Sequence, residues 1–241
     1  MDAFFARTSL LLGSDAIARL QAAKVTVIGL GGVGGAATEA LARSGIGTLV
    51  LVDGDRVADS NRNRQIFATR STVGMMKTEA AARRIEDITD TCRTEQHPVM
   101  LTADADLSFL DGSAYCVDAI DDVRAKIAVY EYCSAHGIPV ISAMGCGSRM
   151  DPTKLKVTDV FEVTGCPLCR KIRHELRKVG IPSLKVVASD EPPRPLAKRE
   201  DGSTDSTIPS AAFVPNAAGL ILASTVVSEI AEGTAEITAS R

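Results

Sequence analysis

The chain contains no tryptophan, and its aromatic residues are limited to three Tyr and six Phe. A core must therefore be built from Val, Ile, Leu and Ala, a supply that suits buried parallel strands covered by helices. No secretory leader is expected, because Met1–Gly13 has only a short apolar patch and carries Asp2 and Arg7. No segment demands a membrane. The most apolar late stretch, Ala211–Ile230, contains Pro215, Asn216 and Glu229 and reads as a strand end followed by a buried helix. A net charge of −3 excludes a whole-chain electrostatic attraction for nucleic acid. Six cysteines without a secretion signal predict reduced thiols in a cytoplasmic protein.

What is present is an alternation of strands and helices. Lys24–Gly29 predicts a short buried strand ended by glycines, Val33–Ser44 a helix of small residues, and Thr48–Val52 a second strand ending at Asp53. A helix follows over about Lys77–Asp87, then strand Tyr115–Asp118, helix Val123–His136 and strand Pro139–Ser142. This rhythm predicts an α/β fold: a Rossmann-like, doubly wound and mostly parallel sheet. From about Asp151 the pattern changes. Lys156–Val163 alternates like an edge strand, Pro167–Val179 is a basic helix, and Leu184–Ala188 is a further strand. Ser189–Ser210, rich in Pro, Gly, Ser, Thr and charge, predicts a mobile surface loop. At 241 residues, the C-terminal strands and helices complete a single domain over 1–241.

Gly29-Leu-Gly31-Gly32-Val-Gly34 fits G-x-G-x-x-G between a strand and a helix. Its glycines permit a tight turn and let backbone N–H groups approach phosphate at the positive end of the helix. Asp53 ends the next strand, where a carboxylate can accept ribose hydroxyls. These features alone specify a nucleotide or dinucleotide and leave a NAD-dependent oxidoreductase open. The following residues decide for ATP. A triphosphate under attack needs Arg and Lys to neutralise it, usually with magnesium, whereas a pyrophosphate needs little beyond the helix terminus. Arg64 and Lys77 are placed for that task, after Asp55, Ser60, Asn61 and before a strand ending Asp118-Ala-Ile-Asp121-Asp122. A carboxylate there, Asp121, is expected to hold the metal.

The ordered set of glycine loop, Asp53, Ser60-Asn-Arg-Asn-Arg64-Gln65, Lys77 and Asp118-Ala-Ile-Asp121 resembles the ubiquitin-activating-enzyme-like superfamily over nearly the whole chain. The resemblance implies ATP-dependent adenylation of a carboxylate. It assigns ATP contacts to Gly31, Asp53, Ser60–Arg64, Lys77 and Asp121, the last with magnesium. Gly29, Gly32, Gly34, Asp55, Gln65 and Asp122 complete the expected nucleotide set.

Three segments point to one branch. Phe5–Gly13, Met144–Lys154 followed by Val157–Val160, and Phe213–Ile221 resemble the tRNA threonylcarbamoyladenosine dehydratases. That implies tRNA as substrate and ATP-driven cyclisation of a threonylcarbamoyl group without a redox cofactor. The resemblance also implies a homodimer, with Arg7 reaching the partner's ATP. The runner-up reading adenylates the C-terminal glycine of a ubiquitin-like sulfur-carrier protein. Activators of that kind usually carry two CxxC pairs around structural zinc, and here Cys166-Pro-Leu-Cys169 stands alone. A non-catalytic nucleotide-sensing scaffold is a third reading, opposed by Arg64, Lys77 and Asp121 occurring together.

Charge is unevenly distributed. Between Cys166 and Glu200 nine Lys or Arg face four acids, so the local balance is +5 in a chain of −3. Arg170, Arg173 and Arg177 recur at three- and four-residue spacing on one helix face, the expected contact for tRNA phosphates.

Overall fold

The computed structural model describes residues 3–195 and 208–235. Two short helices, α1 (Ala6–Leu12) and α2 (Ser14–Ala22), precede β1 (Lys24–Ile28), α3 (Gly32–Ser44) and β2 (Thr48–Val52). Next come α4 (Lys77–Ile88), β3 (Arg93–His97), β4 (Tyr115–Asp118), α5 (Val123–His136) and β5 (Val140–Ala143). The last part holds β6 (Leu155–Asp159), α6 (Pro167–Lys178), β7 (Lys185–Ser189) and α7 (Phe213–Glu232).

The seven strands form one sheet in the order β3-β2-β1-β4-β5-β7-β6. All neighbours are parallel except β6, which runs antiparallel to β7. The strand order reverses between β1 and β4, and in such sheets ligands bind beyond the carboxyl ends at that point. Register makes the crevice: Ile28 pairs with Val52 on one side and with Asp118 on the other. The loops beginning at Gly29, Asp53 and Ala119 therefore emerge side by side.

Each face of the sheet carries its own core. Val25, Val27, Leu49 and Leu51 pack with α2, α3, α4 and α7, while Ile28, Val50, Cys116 and Val186 pack with α5 and α6. Strict alternation along β1 and β2 sends neighbouring residues to opposite faces. α7 presses closely on α3, because a Cβ on Gly219 would lie 2.2 Å from the Val33 carbonyl oxygen.

Several expectations are corrected. The strand end expected within Ala211–Ile230 is absent; Phe213–Glu232 is one helix, the only described helix long and apolar enough to cross a membrane. It lies along α3 and α2, with Val214, Ala218, Leu222 and Val226 buried. The edge strand expected over Lys156–Val163 stops at Asp159, whose carboxylate takes the Phe161 N–H and turns the chain. Of the expected mobile loop, residues 196–207 lie outside the described residues. Its described flanks are tethered: Arg194 N–H donates to Ser148 O and Ser148 N–H to Pro209 O, both at 2.7 Å.

Candidate active site

The glycine loop is shaped by two close constraints. Gly29 adopts φ +86°, a left-handed conformation that L side chains rarely take. A Cβ on Gly34 would sit 1.7 Å from the Gly29 carbonyl oxygen, so the turn closes only without one. The first N–H groups of α3 have no partner within the helix, and Gly31 and Gly32 at that end line the crevice, the usual setting for phosphate. Here local sequence directly dictates an anion cradle.

A cavity of about 360 Å³ opens at this point. Of the expected nucleotide residues, it is lined by Gly29, Gly31, Gly32, Asp53, Asp55, Asn61, Arg64, Gln65, Lys77, Asp121 and Asp122. Ser60 and Gly34 stand outside its wall; Ser60 O instead accepts from Arg64 Nη1 at 3.0 Å. The apolar side is made by Val52, Val99, Met100 and Leu101, residues that no motif marked. Such a surface suits a flat heterocycle.

Asp53 is nearly buried, and both of its oxygens take backbone donors. Oδ2 accepts from Leu30 N at 2.7 Å and Oδ1 from Asp55 N at 2.8 Å. Lys77 begins α4, with its side chain only 8% exposed and its Nζ 2.6 Å from Asp55 Oδ2 and 3.6 Å from Asp53 Oδ2. These contacts aim a cation from the sheet edge into the cavity. Arg64 is steadied by Ser60 O and by Asn63 Oδ1 at 2.9 Å.

Asp121 lies exposed on the cavity wall, while Asp122 caps α5 by accepting the Ala125 N–H at 2.8 Å. Beneath them sits a network the sequence did not reveal. Lys126 Nζ is 2.7 Å from Asp118 Oδ2, 2.9 Å from Ser142 Oγ and 3.1 Å from Ala143 O. Tyr130 donates to the same Asp118 oxygen at 2.5 Å, and its own ionisation is pushed well up, first by burial and then by Asp118. This buried cluster ties the end of β4 to the end of β5, and thus fixes the two loops that flank the crevice.

The second loop borders a further cavity of about 420 Å³, which shares Gly31, Gly32, Arg64 and Asp121 with the first. It continues past Met144–Gly147 to Leu168, Ile208 and Pro215. Arg149 braces this loop through Gly145 O and, at 2.8 Å, Glu191 O. Two joined chambers around Arg64 and Asp121 can hold a nucleotide and a second reactant at the same phosphate.

Residues 5–228 match the model of the ThiF family. The chain belongs to the ThiF family. A Bacillus subtilis relative described as a tRNA threonylcarbamoyladenosine dehydratase is 37% identical over 238 residues, 94% of each chain. Crystal structures of the E. coli tRNA N6-threonylcarbamoyladenosine dehydratase align with 96% of this chain and 95% of theirs. The complex with AMP has a TM-score of 0.87 at 33% identity, and the complex with ATP 0.87 at 34%.

Other expected site residues of this ThiF-family chain lie elsewhere. Arg7 is an exposed residue of α1 and is not among those lining either cavity. Arg170 is exposed near the start of α6. Arg173 is turned inward, donating to Val160 O at 2.9 Å and Val163 O at 2.5 Å. Arg177 lies over the Phe161 ring at 5.3 Å. The three share a helix face, but Arg173 is committed to the loop after β6. All six cysteines are buried and free, with Cys166 at the N-cap of α6 accepting from Cys169 N at 3.5 Å.

Proposed function

We infer that this chain is an ATP-dependent adenylating enzyme that cyclises threonylcarbamoyladenosine in tRNA with loss of water. The observation that carries the reading is the pair of joined cavities meeting at Gly31, Gly32, Arg64 and Asp121. The likeness to dehydratases across nearly the full length of both chains supports the substrate class.

In this account ATP lies with its base against Val52, Val99 and Leu101, its ribose toward Asp53 and its phosphates at the first turn of α3. The substrate carboxylate enters through the second cavity and attacks the α-phosphorus. Pyrophosphate leaves, its charge offset by Lys77 and Arg64. A nucleophile of the same threonylcarbamoyl group then closes on the activated carbonyl and expels AMP. Asp121 fits magnesium, which typically takes one or two carboxylates and completes its shell with phosphate oxygens and water. Held by Asp121, magnesium would supply Lewis-acid neutralisation of the phosphate charge.

Two further assignments belong to this proposal. The chain works as a homodimer, with exposed Leu10 and Leu11 of α1 and Phe213 and Leu220 of α7 as its apolar contacts. Arg7 then serves the partner's ATP, since it stands apart from its own cavity. Arg170 and neighbouring basic residues of α6 steer tRNA by its phosphates, in a cytoplasmic enzyme. The test is to incubate the purified chain with ATP, magnesium and tRNA bearing threonylcarbamoyladenosine, then digest the tRNA and weigh the nucleoside. The expected product has lost one water, with AMP released in step; an unchanged nucleoside beside an active control enzyme would refute the substrate.

A further inference from the structure

The proposed chemistry uses no thiol, yet two cysteines are arranged as a reactive pair. Cys166 is the N-cap of α6 and Cys169 its third residue, one helical turn apart. Cys166 Sγ takes the Cys169 N–H at 3.5 Å, which turns the N-cap thiol inward over the helix end. Hydrogen bonding from Cys169, and from the backbone at Gly145 and Leu168, favours the anionic form of this sulfur. Gly145 is in contact from the β5 loop, where a Cβ would lie 3.9 Å from Cys166 Sγ.

We propose that Cys166 and Cys169 form a redox-active dithiol, which a hydroperoxide converts to a disulfide that loosens the Gly145 wall of the second cavity. Several converging donors at a helix N-terminus favour a thiolate over a thiol. Consistent with this, hydrogen bonding from Cys169 lowers the Cys166 pKa to about 5, whereas Cys169 is pushed far up by the same bond and by burial. Burial raises Cys92 and Cys146 to about 11.

The chemistry balances in two steps. The Cys166 thiolate attacks one peroxide oxygen, the O–O bond breaks, and hydroxide leaves Cys166 as a sulfenic acid. Cys169 then attacks that sulfur, forming S–S as the sulfenic oxygen departs with the Cys169 proton as water. The peroxide gains two electrons and the two thiols lose them. A stabilised thiolate makes a disulfide easier to reduce, so the pair rests reduced among cytoplasmic thiols and oxidises only under peroxide. Forming the S–S bond also removes the charge on Cys166 Sγ and shifts the sulfur from its place against Gly145. The effect on the acceptor cavity follows from that lost contact. This last step rests on the proposed function, while the thiol chemistry does not.

The test treats the full-length reduced protein with hydrogen peroxide, then alkylates in denaturant and reads each cysteine by peptide mass. Cys166 and Cys169 should be lost together, well ahead of Cys92, and return on adding dithiothreitol. Cys169→Ser should stop at a sulfenic acid on Cys166 that dimedone traps. Cys166→Ser keeps a hydroxyl fit for the N-cap, so it should retain most reduced activity and resist peroxide. The disulfide form of the wild type should show several-fold slower AMP formation with ATP binding unchanged. Loss of Cys166 and Cys169 no faster than Cys92 would overturn the dithiol. An oxidised protein as fast as the reduced one would overturn its coupling to the cavity. If the reduced protein has no activity on tRNA, the proposed function fails, and the peptide masses still decide the dithiol.

Discussion

Lys126 Nζ lies 2.7 Å from Asp118 Oδ2, and neither side chain is exposed at all. An apolar pair would often be no less stable at such a site, so the ion pair is better understood by what it joins. Asp118 ends β4, Ser142 belongs to β5, and Lys126 reaches both from α5. Lys126→Met should leave Asp118 charged and unpaired, costing about 3–5 kcal/mol. Urea unfolding of the variant would measure it; unchanged stability would mean that the pair is dispensable.

Lys77, at the start of α4, and Asp121, in the loop after β4, both line the first cavity. Lys77→Ala or Asp121→Ala should cut carboxylate-dependent AMP formation on the order of a few hundred-fold, the effect of losing about 3–4 kcal/mol of transition-state stabilisation. Circular dichroism should show both variants folded. Because Lys77 also separates Asp53 from Asp55, its removal is expected to lower stability, which the Asp121 variant should not. Wild-type rates in either would remove that residue from the mechanism.

A dimer that shares Arg7 across its interface predicts complementation. Arg7→Ala and Lys77→Ala should each be nearly inactive alone, and mixing the two should recover part of the activity through dimers with one intact site. Failure to recover, with exchange shown by a fluorescence label, would place Arg7 outside the partner's site. Leu220→Asp should shift the sedimentation coefficient to that of a monomer.

On α6 the three arginines should separate by role. Arg170→Glu with Arg177→Glu should weaken tRNA binding and reduce the slope of log affinity against log salt by roughly 1–2, since each phosphate contact contributes just under one. ATP binding should not change. Arg173→Ala should instead lower thermal stability by freeing the Val160 and Val163 carbonyls. An unaltered salt slope in the double variant would move the tRNA surface elsewhere.

The sequence made β1, β2 and β4 legible because each is a short apolar run halted by Gly or Asp at the ligand edge. Gly31, Gly32, Arg64 and Lys77, expected from sequence because a phosphate cradle needs glycine and neutralisation needs Arg or Lys, come together around one cavity. β3 escaped notice: Arg93-Thr-Glu-Gln-His97 pairs only with β2, and such a half-exposed edge strand has no apolar signature. Lys126 carries no sequence signal, because its partners come from two strands that only the sheet brings together. Arg173 looked like surface charge for the same reason, the carbonyls it serves being backbone groups with no side-chain code. The apolar wall at Val99–Leu101 gave no motif, since an apolar lining requires shape more than residue identity.

The proposed function places the activated carboxylate on tRNA. It is tested most directly by ATP–pyrophosphate exchange measured side by side with two substrates: tRNA carrying threonylcarbamoyladenosine, and a ubiquitin-like sulfur carrier ending in glycine. The account predicts exchange and AMP formation with the modified tRNA, none with tRNA lacking the threonylcarbamoyl group, and none with the carrier. Exchange supported by the carrier and not by the tRNA would contradict it.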